Sequence, residues 1–182
     1  MQLTLQTTRE DHRIAWLAAL AITIHIAESA LPSPIPGIKP GLANIVTIIV
    51  LMQFGWTTAV WVALLRVVVG SLLVGTFLTP TFMLSLGGAV ASLAVLGIAS
   101  RLPGRGVGPV GYCVLAAMTH IAAQFWIAYW LFIPHDALFH LLPVLMTAAV
   151  IAGLVTGVIA RAVLDRLSDT DYGRHPAAAA AD

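Results

Sequence analysis

The chain has 182 residues, of which 59% are hydrophobic and only 9% are charged, and its formal net charge is +1. A soluble domain carries about 25% charged residues, so this composition argues against a soluble enzyme, a disordered chain and a nucleic-acid-binding protein. The class that remains is an all-α integral membrane protein. Since a helix needs roughly 20 residues to cross the ~30 Å hydrocarbon core, the length allows about six transmembrane helices.

The N-terminal part predicts a short polar segment, one membrane helix and a rigid loop. Residues 1–13 are polar and are predicted to form a cytoplasmic segment. The apolar run at 14–31 predicts the first span. Prolines and a glycine then interrupt residues 31–40, and because proline disrupts a helix interior, this stretch predicts a rigid loop.

Residues 41–75 are too many for a single span, and Gly55 predicts the break between two helices. The first of these, at 42–54, is short for a full crossing. Further predicted helices follow at 57–74, 82–100, 110–133 and 141–164. The single membrane domain is thus predicted at 14–164, and the polar tail at 165–182 is predicted to be cytoplasmic and disordered.

The basic residues predict the orientation of the chain. Six spans place seven arginines on one side and only Lys39 on the other: Arg9, Arg13, Arg101, Arg105, Arg161, Arg166 and Arg174. Positive residues collect on the cytoplasmic side of membrane proteins. Both termini are therefore predicted to be cytoplasmic, in a multi-pass protein of the cell inner membrane.

Apart from Arg161, near the cytoplasmic end of the last predicted helix, two charged residues fall within the predicted spans. Arg66 lies near the middle of its helix, and Glu28 lies toward the outer end of the first. A charge at this depth costs about 2.5–3.5 kcal/mol on insertion scales and often has a function. The two residues are predicted to pair or to face a polar cavity. A purely structural ion pair that fixes helix order is the alternative.

Further polar residues fall in the same outer half of the bundle: His25, Lys39, Asn44, Ser71, Thr76, His120 and Gln124. Their shared depth predicts a site open to the outside, although each one alone is weak evidence and a lone His120 is more often a hydrogen-bonded packing residue. His25, Glu28 and His120 are also able to bind a metal ion. Their spacing is not diagnostic, so a metal remains only an alternative substrate, and no resident metal or cofactor is predicted.

Small residues recur four positions apart in three predicted helices, at Ala15 and Ala19, at Gly88 and Ser92, and at Gly153 and Gly157. Such spacing lets helices approach closely. Packing within the chain is the ordinary interpretation. For Ala15 and Ala19, a partner subunit is the alternative.

Several blocks of the sequence resemble one known family. Segment 28–45 (ESALPSPIPGIKPGLANI) and segment 65–77 (LRVVVGSLLVGTF) resemble the signature of the Gx transporter family, which is also labelled heptaprenyl diphosphate synthase component I. Shorter blocks at 85–89 (SLGGA) and 120–124 (HIAAQ) follow in the family's order. The resemblance covers about residues 14–160.

This family in turn resembles the substrate-binding S components of energy-coupling-factor transporters, which are six-helix membrane proteins with a site near the outer face. The resemblance implies an S-component-like bundle that takes up a small solute. It implies a docking face at Ala15 and Ala19 for a transmembrane coupling subunit driven by ATPases. It also implies these solute-binding residues: Glu28, Lys39, Asn44, Arg66, Thr76, His120 and Gln124.

The sequence lacks the motifs of two enzyme classes. It has no GxxxxGK[ST] nucleotide-binding motif. It also has no DDxxD motif, since Asp165, Asp169 and Asp171 have a different spacing, so magnesium-dependent prenyl chain elongation by this chain alone is not expected. Two alternatives to transport remain. One is a membrane accessory subunit of polyprenyl diphosphate or quinone synthesis, and the other is a structural subunit of a membrane complex.

Overall fold

The computed structural model describes residues 8–30, 42–101 and 107–174, with side chains at 8–27, 44–101 and 107–168. These residues form six α-helices and no strand: α1 (Arg9–Ala30), α2 (Leu42–Phe54), α3 (Trp56–Val74), α4 (Pro80–Ala99), α5 (Pro109–Ile127) and α6 (Leu142–Arg174). A π-helical turn, Ala128–Phe132, continues α5, and a short 3₁₀ helix, Asp136–His140, precedes α6.

Four of the described stretches are long and apolar enough to cross a membrane: Trp56–Val74, Pro80–Ala99, Pro109–Phe132 and Asp136–Ser168. The apolar part of α2, Asn44–Phe54, is shorter. The predicted all-α membrane fold is confirmed by these helices. Crossing of the membrane by α1 and α2, and the cytoplasmic position of both termini, stay predictions.

Glycines and prolines set the helix boundaries around α3. Gly55 separates α2 from α3 with a φ of 85°, a backbone conformation that favours glycine, and the predicted break at this residue is confirmed. Gly75 ends α3 in the left-handed conformation. Thr79 then caps α4 by accepting a hydrogen bond from the Phe82 N–H, and Pro80 follows as the first residue of α4.

The last helix is longer than the sequence analysis predicted. The prediction ended it at Leu164 because the following residues are polar, but α6 continues through Arg174. The expectation of disorder is thus wrong for 165–174, and residues 175–182 lie outside the described part. Polar residues do not end a helix that has left the membrane, since water-facing helix surfaces are ordinarily polar. The predicted span at 110–133 agrees with the continuous stretch Pro109–Phe132, within which the α-helix gives way to the π-helical turn at Ala128.

The helices form two halves that meet along a seam. Helices α1, α2 and α3 all contact one another, and we call them the N-terminal half; in the C-terminal half, α5 packs against both α4 and α6. The contacts across the seam, chiefly of α3 with α4 and of α2 with α5 and α6, are less extensive than those within the halves. The seam is thus the natural place for a cavity.

Close helix packing holds the C-terminal half together. A Cβ atom added at Gly153 would lie 2.7 Å from the Cα atom of Val114, and one added at Gly157 would lie 2.7 Å from the Cα atom of Val110. These glycines therefore let α6 lie directly on the backbone of α5. The close approach predicted from their spacing is confirmed.

Trp56 ties the two halves together at the end of the bundle that is predicted to be cytoplasmic. From the first position of α3, its indole Nε1 donates a hydrogen bond to the Leu93 carbonyl oxygen of α4 at 3.3 Å. The ring lies against Gly97, where an added Cβ would come within 2.5 Å of Nε1. The Arg101 guanidinium lies 5.7 Å from the ring centroid. We call this group of contacts the Trp56 latch.

Candidate functional site

A small cavity lies in the seam, between α2 and α3 of one half and α4 and α5 of the other. We call it the central cavity. Its polar lining consists of Asn44, Thr47, Arg66 and Ser92, and the rest of the lining is aliphatic. Its volume is about 10 Å³, roughly the space that one water molecule needs. In this conformation the cavity is therefore closed to any larger molecule.

Arg66 places a guanidinium group beside this cavity. The side chain is only 6% exposed, and its Nη2 donates a hydrogen bond to Asn44 Oδ1 at 3.0 Å. Arg66 lies in the middle of α3 and Asn44 in the first turn of α2, so the bond crosses between two helices of the N-terminal half. The structure thus brings together two residues for which the sequence analysis predicted a shared site.

Thr47 lies one turn after Asn44, and its hydroxyl group is exceptional among the buried threonines. The residue is 5% exposed, and its Oγ1 makes no hydrogen bond within the described structure. Five other helical threonines donate their hydroxyl to the carbonyl oxygen four residues earlier, at 2.8 to 3.3 Å: Thr23, Thr58, Thr119, Thr147 and Thr156. An unsatisfied buried hydroxyl costs about 1–3 kcal/mol, so the Thr47 hydroxyl is a candidate ligand contact.

His120 and Gln124 of α5 form a second polar pair. His120 lies one helical turn after Ala116, which lines the cavity. Gln124 Nε2 lies 3.1 Å from His120 Nε2, an arrangement in which Nε2 accepts and Nδ1 carries the proton. The imidazole lies on the backbone of α4, where a Cβ added at Gly88 would meet its ring atoms at 2.7 to 2.8 Å. Gly88 precedes the lining residue Ala89, so this pair lies beside the cavity.

The three remaining predicted site residues are not part of the described cavity lining: Thr76, Glu28 and Lys39. Thr76 lies in the connection between α3 and α4, where its N–H donates to the Ser71 carbonyl oxygen at 2.8 Å. Glu28 belongs to the last turn of α1, but its side chain is outside the described residues, as is all of Lys39. The solute-binding role of every predicted site residue stays a prediction.

Two further predictions concern α1 and metal ions. Ala15 and Ala19 are exposed on α1, as the docking hypothesis requires, and docking stays a prediction. Within the described residues there is no group of three or more His, Cys, Asp or Glu residues that would hold a metal ion. The metal alternative therefore gains no support from this part of the chain.

The sequence analysis did not single out two of the polar lining residues for the site. Thr47 follows Asn44 by three positions, which places both on one helix face, and that spacing was a usable signal. Ser92 appeared only as a small packing residue. Its hydroxyl donates to the Gly88 and Ala89 carbonyl oxygens at 2.9 and 3.0 Å, so it presents oxygen lone pairs to the cavity.

His25 makes a contact that mirrors that of His120. A Cβ added at Gly70 of α3 would lie 2.9 Å from His25 Cδ2. Each histidine ring thus rests on a glycine of a neighbouring helix, Gly70 within block 65–77 and Gly88 within block 85–89. These blocks carry the family resemblance, and here they permit an imidazole to lie against a helix backbone.

The comparisons with known proteins agree with this resemblance. The family model for heptaprenyl diphosphate synthase component I matches residues 17–163. No match was found among curated proteins or among solved structures. Because the matched region covers most of the chain and contains all six helices at least in part, this membrane protein belongs to the heptaprenyl diphosphate synthase component I family.

Proposed function

We propose that this protein is a membrane subunit that binds a small solute in the central cavity and serves its uptake across the cell inner membrane. The observation that carries the proposal is the unsatisfied Thr47 hydroxyl beside the buried Arg66 guanidinium. Polar groups are costly at membrane depth, and the usual reason to retain them there is a function. A solute that hydrogen-bonds to Thr47 and Arg66 would offset that cost.

Binding requires the two halves to separate, since the closed cavity has a volume of only about 10 Å³. We propose that they separate on the outer side. Part of the main hydrophobic core, including Ala59 and Val62 of α3, Leu96 of α4 and Tyr112 of α5, is placed toward the cytoplasm by the predicted topology. A rocking motion that preserves this part of the core would open the cavity outward, which is one half of an alternating-access cycle.

Energy for uptake would come from a partner, because the sequence has no nucleotide-binding motif of the GxxxxGK[ST] type. We propose a transmembrane coupling subunit that associates with ATPases and docks on α1 at Ala15 and Ala19. On the same helix, Trp16 is 77% exposed and Leu20 is 52% exposed. Small residues beside large apolar ones are a suitable surface for close helix packing in a bilayer.

The experiment compares small molecules that remain bound through purification. Wild type, Arg66→Ala, Thr47→Val and Thr58→Val are purified in parallel and analysed by mass spectrometry, and uptake of any enriched solute is then measured in cells. Thr58→Val is the matched control. Thr58 is also buried, but its hydroxyl donates a hydrogen bond to the Phe54 carbonyl oxygen four residues earlier.

We expect one solute to be enriched in wild type and in Thr58→Val, to be lost from Arg66→Ala and to be reduced in Thr47→Val. Cells that produce the wild type should accumulate this solute faster than cells without the protein. Identical small-molecule profiles for all four proteins, together with no uptake, would contradict the proposal.

A second candidate function is an accessory role in polyprenyl diphosphate synthesis, in which the protein positions a lipid precursor for a synthase. The family description names such a synthase. In addition, α6 has 33 residues and is about 50 Å long at ~1.5 Å per residue, so roughly 20 Å extends beyond a ~30 Å hydrocarbon core. That extension provides a surface for a soluble partner.

Truncation after Leu164 separates the two functions. If the accessory role holds, the full chain should co-purify with a soluble prenyl synthase, and the truncated chain should not. Deletion of the gene should then alter polyprenyl chain length. If transport holds, the truncated chain should still carry its solute, and polyprenyl products should be unchanged.

A further inference from the structure

Apart from Ser92, whose hydroxyl donates to its own helix, the polar residues that line the central cavity are able to donate hydrogen bonds to a ligand. The Arg66 guanidinium has five N–H donors and no acceptor. The Asn44 side-chain oxygen accepts from Arg66 at 3.0 Å, and its NH₂ group supplies two further donors. The Thr47 hydroxyl has no partner among the described residues and is able to donate.

The described lining contains no acidic side chain, and Arg66 is its one charged member. A guanidinium group beside an amide and a hydroxyl matches the oxygen atoms of a carboxylate or a phosphate, which it binds through two parallel N–H donors. The remaining lining is aliphatic, with Ile48, Leu93 and Leu96 among its members. The cavity therefore has a donor-rich polar part and an apolar part.

We propose that the solute is an organic anion whose carboxylate or phosphate group contacts Arg66, Asn44 and Thr47 and whose compact apolar part packs on Leu93 and Leu96. This inference rests on the proposed function, because it requires the cavity to open to a solute. Thr47 is then a specificity-determining residue, since its hydroxyl distinguishes a ligand with anionic oxygens from an apolar one. An amine or a metal ion is disfavoured by the same donors.

Paired thiol reagents of similar size and opposite charge test this selectivity. Thr47→Cys is made in a Cys113→Ala chain, which removes the native cysteine. Right-side-out membrane vesicles are labelled with sulfonatoethyl methanethiosulfonate, which is anionic, or with trimethylammonioethyl methanethiosulfonate, which is cationic. Each rate is divided by the rate of the same reagent with β-mercaptoethanol, so that intrinsic reactivity cancels.

We expect the anionic reagent to modify Thr47→Cys at least about tenfold faster than the cationic one after this correction, because a charge in a low-dielectric cleft concentrates ions of opposite sign by 10-fold or more. Leu141→Cys in the same Cys113→Ala chain is the control. Leu141 is exposed between the 3₁₀ helix and α6, on the predicted outer side, and should react equally with both reagents.

Two changes at Arg66 identify the source of the preference. In the Thr47→Cys chain, Arg66→Lys should retain a preference for the anionic reagent, and Arg66→Gln should reduce it to about onefold. Size-exclusion profiles establish that each variant is folded. If Arg66→Gln aggregates, folded Arg66→Lys decides the question: a retained preference supports recognition of the anion by charge, and a lost preference would contradict it.

The outcomes separate this inference from the proposed function. Equal rates, or faster reaction of the cationic reagent, would overturn the anion assignment, but would still demonstrate that the cavity opens outward. Reaction at Leu141→Cys with no reaction at Thr47→Cys would contradict outward opening and therefore both proposals.

Protection experiments distinguish the two anion chemistries. Labelling of Thr47→Cys is repeated with hexanoate, hexyl phosphate or hexylamine present. Slower labelling with hexanoate alone identifies a carboxylate site, and slower labelling with hexyl phosphate alone identifies a phosphate site. Protection by both supports a general organic anion. Protection by hexylamine alone, or by none of the three, would overturn the inference.

Discussion

The two sides of α5 differ in how they meet their neighbours. Toward α6, the helix backbones touch through Gly153 and Gly157, and the hydroxyl of the nearby Thr156 is satisfied by the Ala152 carbonyl oxygen at 2.8 Å. Toward α4 and α2, α5 borders the central cavity, where the Thr47 hydroxyl has no partner among the described residues. The α5–α6 contact is thus closely packed, whereas the lining of the cavity includes a buried hydroxyl group that is left unsatisfied by the described residues.

We expect the largest effect from a substitution that disrupts the close contact between α5 and α6. Gly153→Ala would place a Cβ atom 2.7 Å from the Val114 backbone, which cannot rotate away. We expect the free energy of unfolding to fall by about 3 kcal/mol, at the upper end of typical overpacking costs. Thermal unfolding in detergent measures this loss. Gly108→Ala is the control, since nothing lies within 4 Å of its added Cβ, and a similar loss in both variants would refute the packing argument.

The second largest effect is expected on the affinity of the central cavity for its solute. Arg66→Ala removes the guanidinium and leaves Asn44 Oδ1 without its donor. We expect solute binding to weaken by at least about 2 kcal/mol, as for loss of a hydrogen bond to a charged group, which is roughly 30-fold in the dissociation constant. Calorimetry with the co-purified solute measures the change. Arg161→Ala should have no effect on affinity, because Arg161 pairs with Asp165 on the exposed surface of α6.

The third effect separates binding from stability at a single hydroxyl group. Thr47→Val removes a buried hydroxyl without a partner and keeps the shape of the side chain. Without solute, we expect the stability to stay equal or rise by about 1 kcal/mol, while solute affinity falls by about the same amount. In Thr58→Val, a satisfied hydroxyl is lost, so stability should fall slightly and affinity should not change. The same response in both variants would remove the distinction between the two threonines.

The smallest expected effect is at Gly88. Gly88→Ala would bring a Cβ atom to 2.7 Å from the His120 ring. Because a side chain can move where a backbone cannot, we expect a loss of only about 1 kcal/mol and a shift of the ring that breaks its 3.1 Å contact with Gln124. Chemical shifts of the labelled imidazole report that movement. A loss of stability as large as that of Gly153→Ala would mean that the contact between α4 and α5 is as rigid as that between α5 and α6.

Much of the helical architecture followed from local sequence features. The apolar runs, the break at Gly55 and the close contact at Gly153 and Gly157 depend on residues near one another in the chain or on helical spacing. The end of α6 could not be predicted in the same way, because polarity marks the end of a span and leaves the end of the helix undetermined.

The site was only partly predictable for a different reason. Arg66 and Asn44 were identifiable because charged and amide groups are rare at membrane depth. Thr47 and Ser92 were not, because a threonine or serine in a membrane helix usually bonds to its own backbone, and whether it does so depends on the surrounding helices. Only the packed structure distinguishes Thr47 from Thr58.

The Trp56 latch has a geometric consequence for the proposed outward opening. It joins the halves at the first residue of α3, and at ~1.5 Å per residue Arg66 lies about 15 Å farther along the helix and Val74 about 27 Å. If the latch is the pivot, a tilt of about 10° displaces α3 by roughly 3 Å at Arg66 and 5 Å at Val74. A small angular change at the end predicted to be cytoplasmic would thus produce an opening of several ångströms at the opposite end.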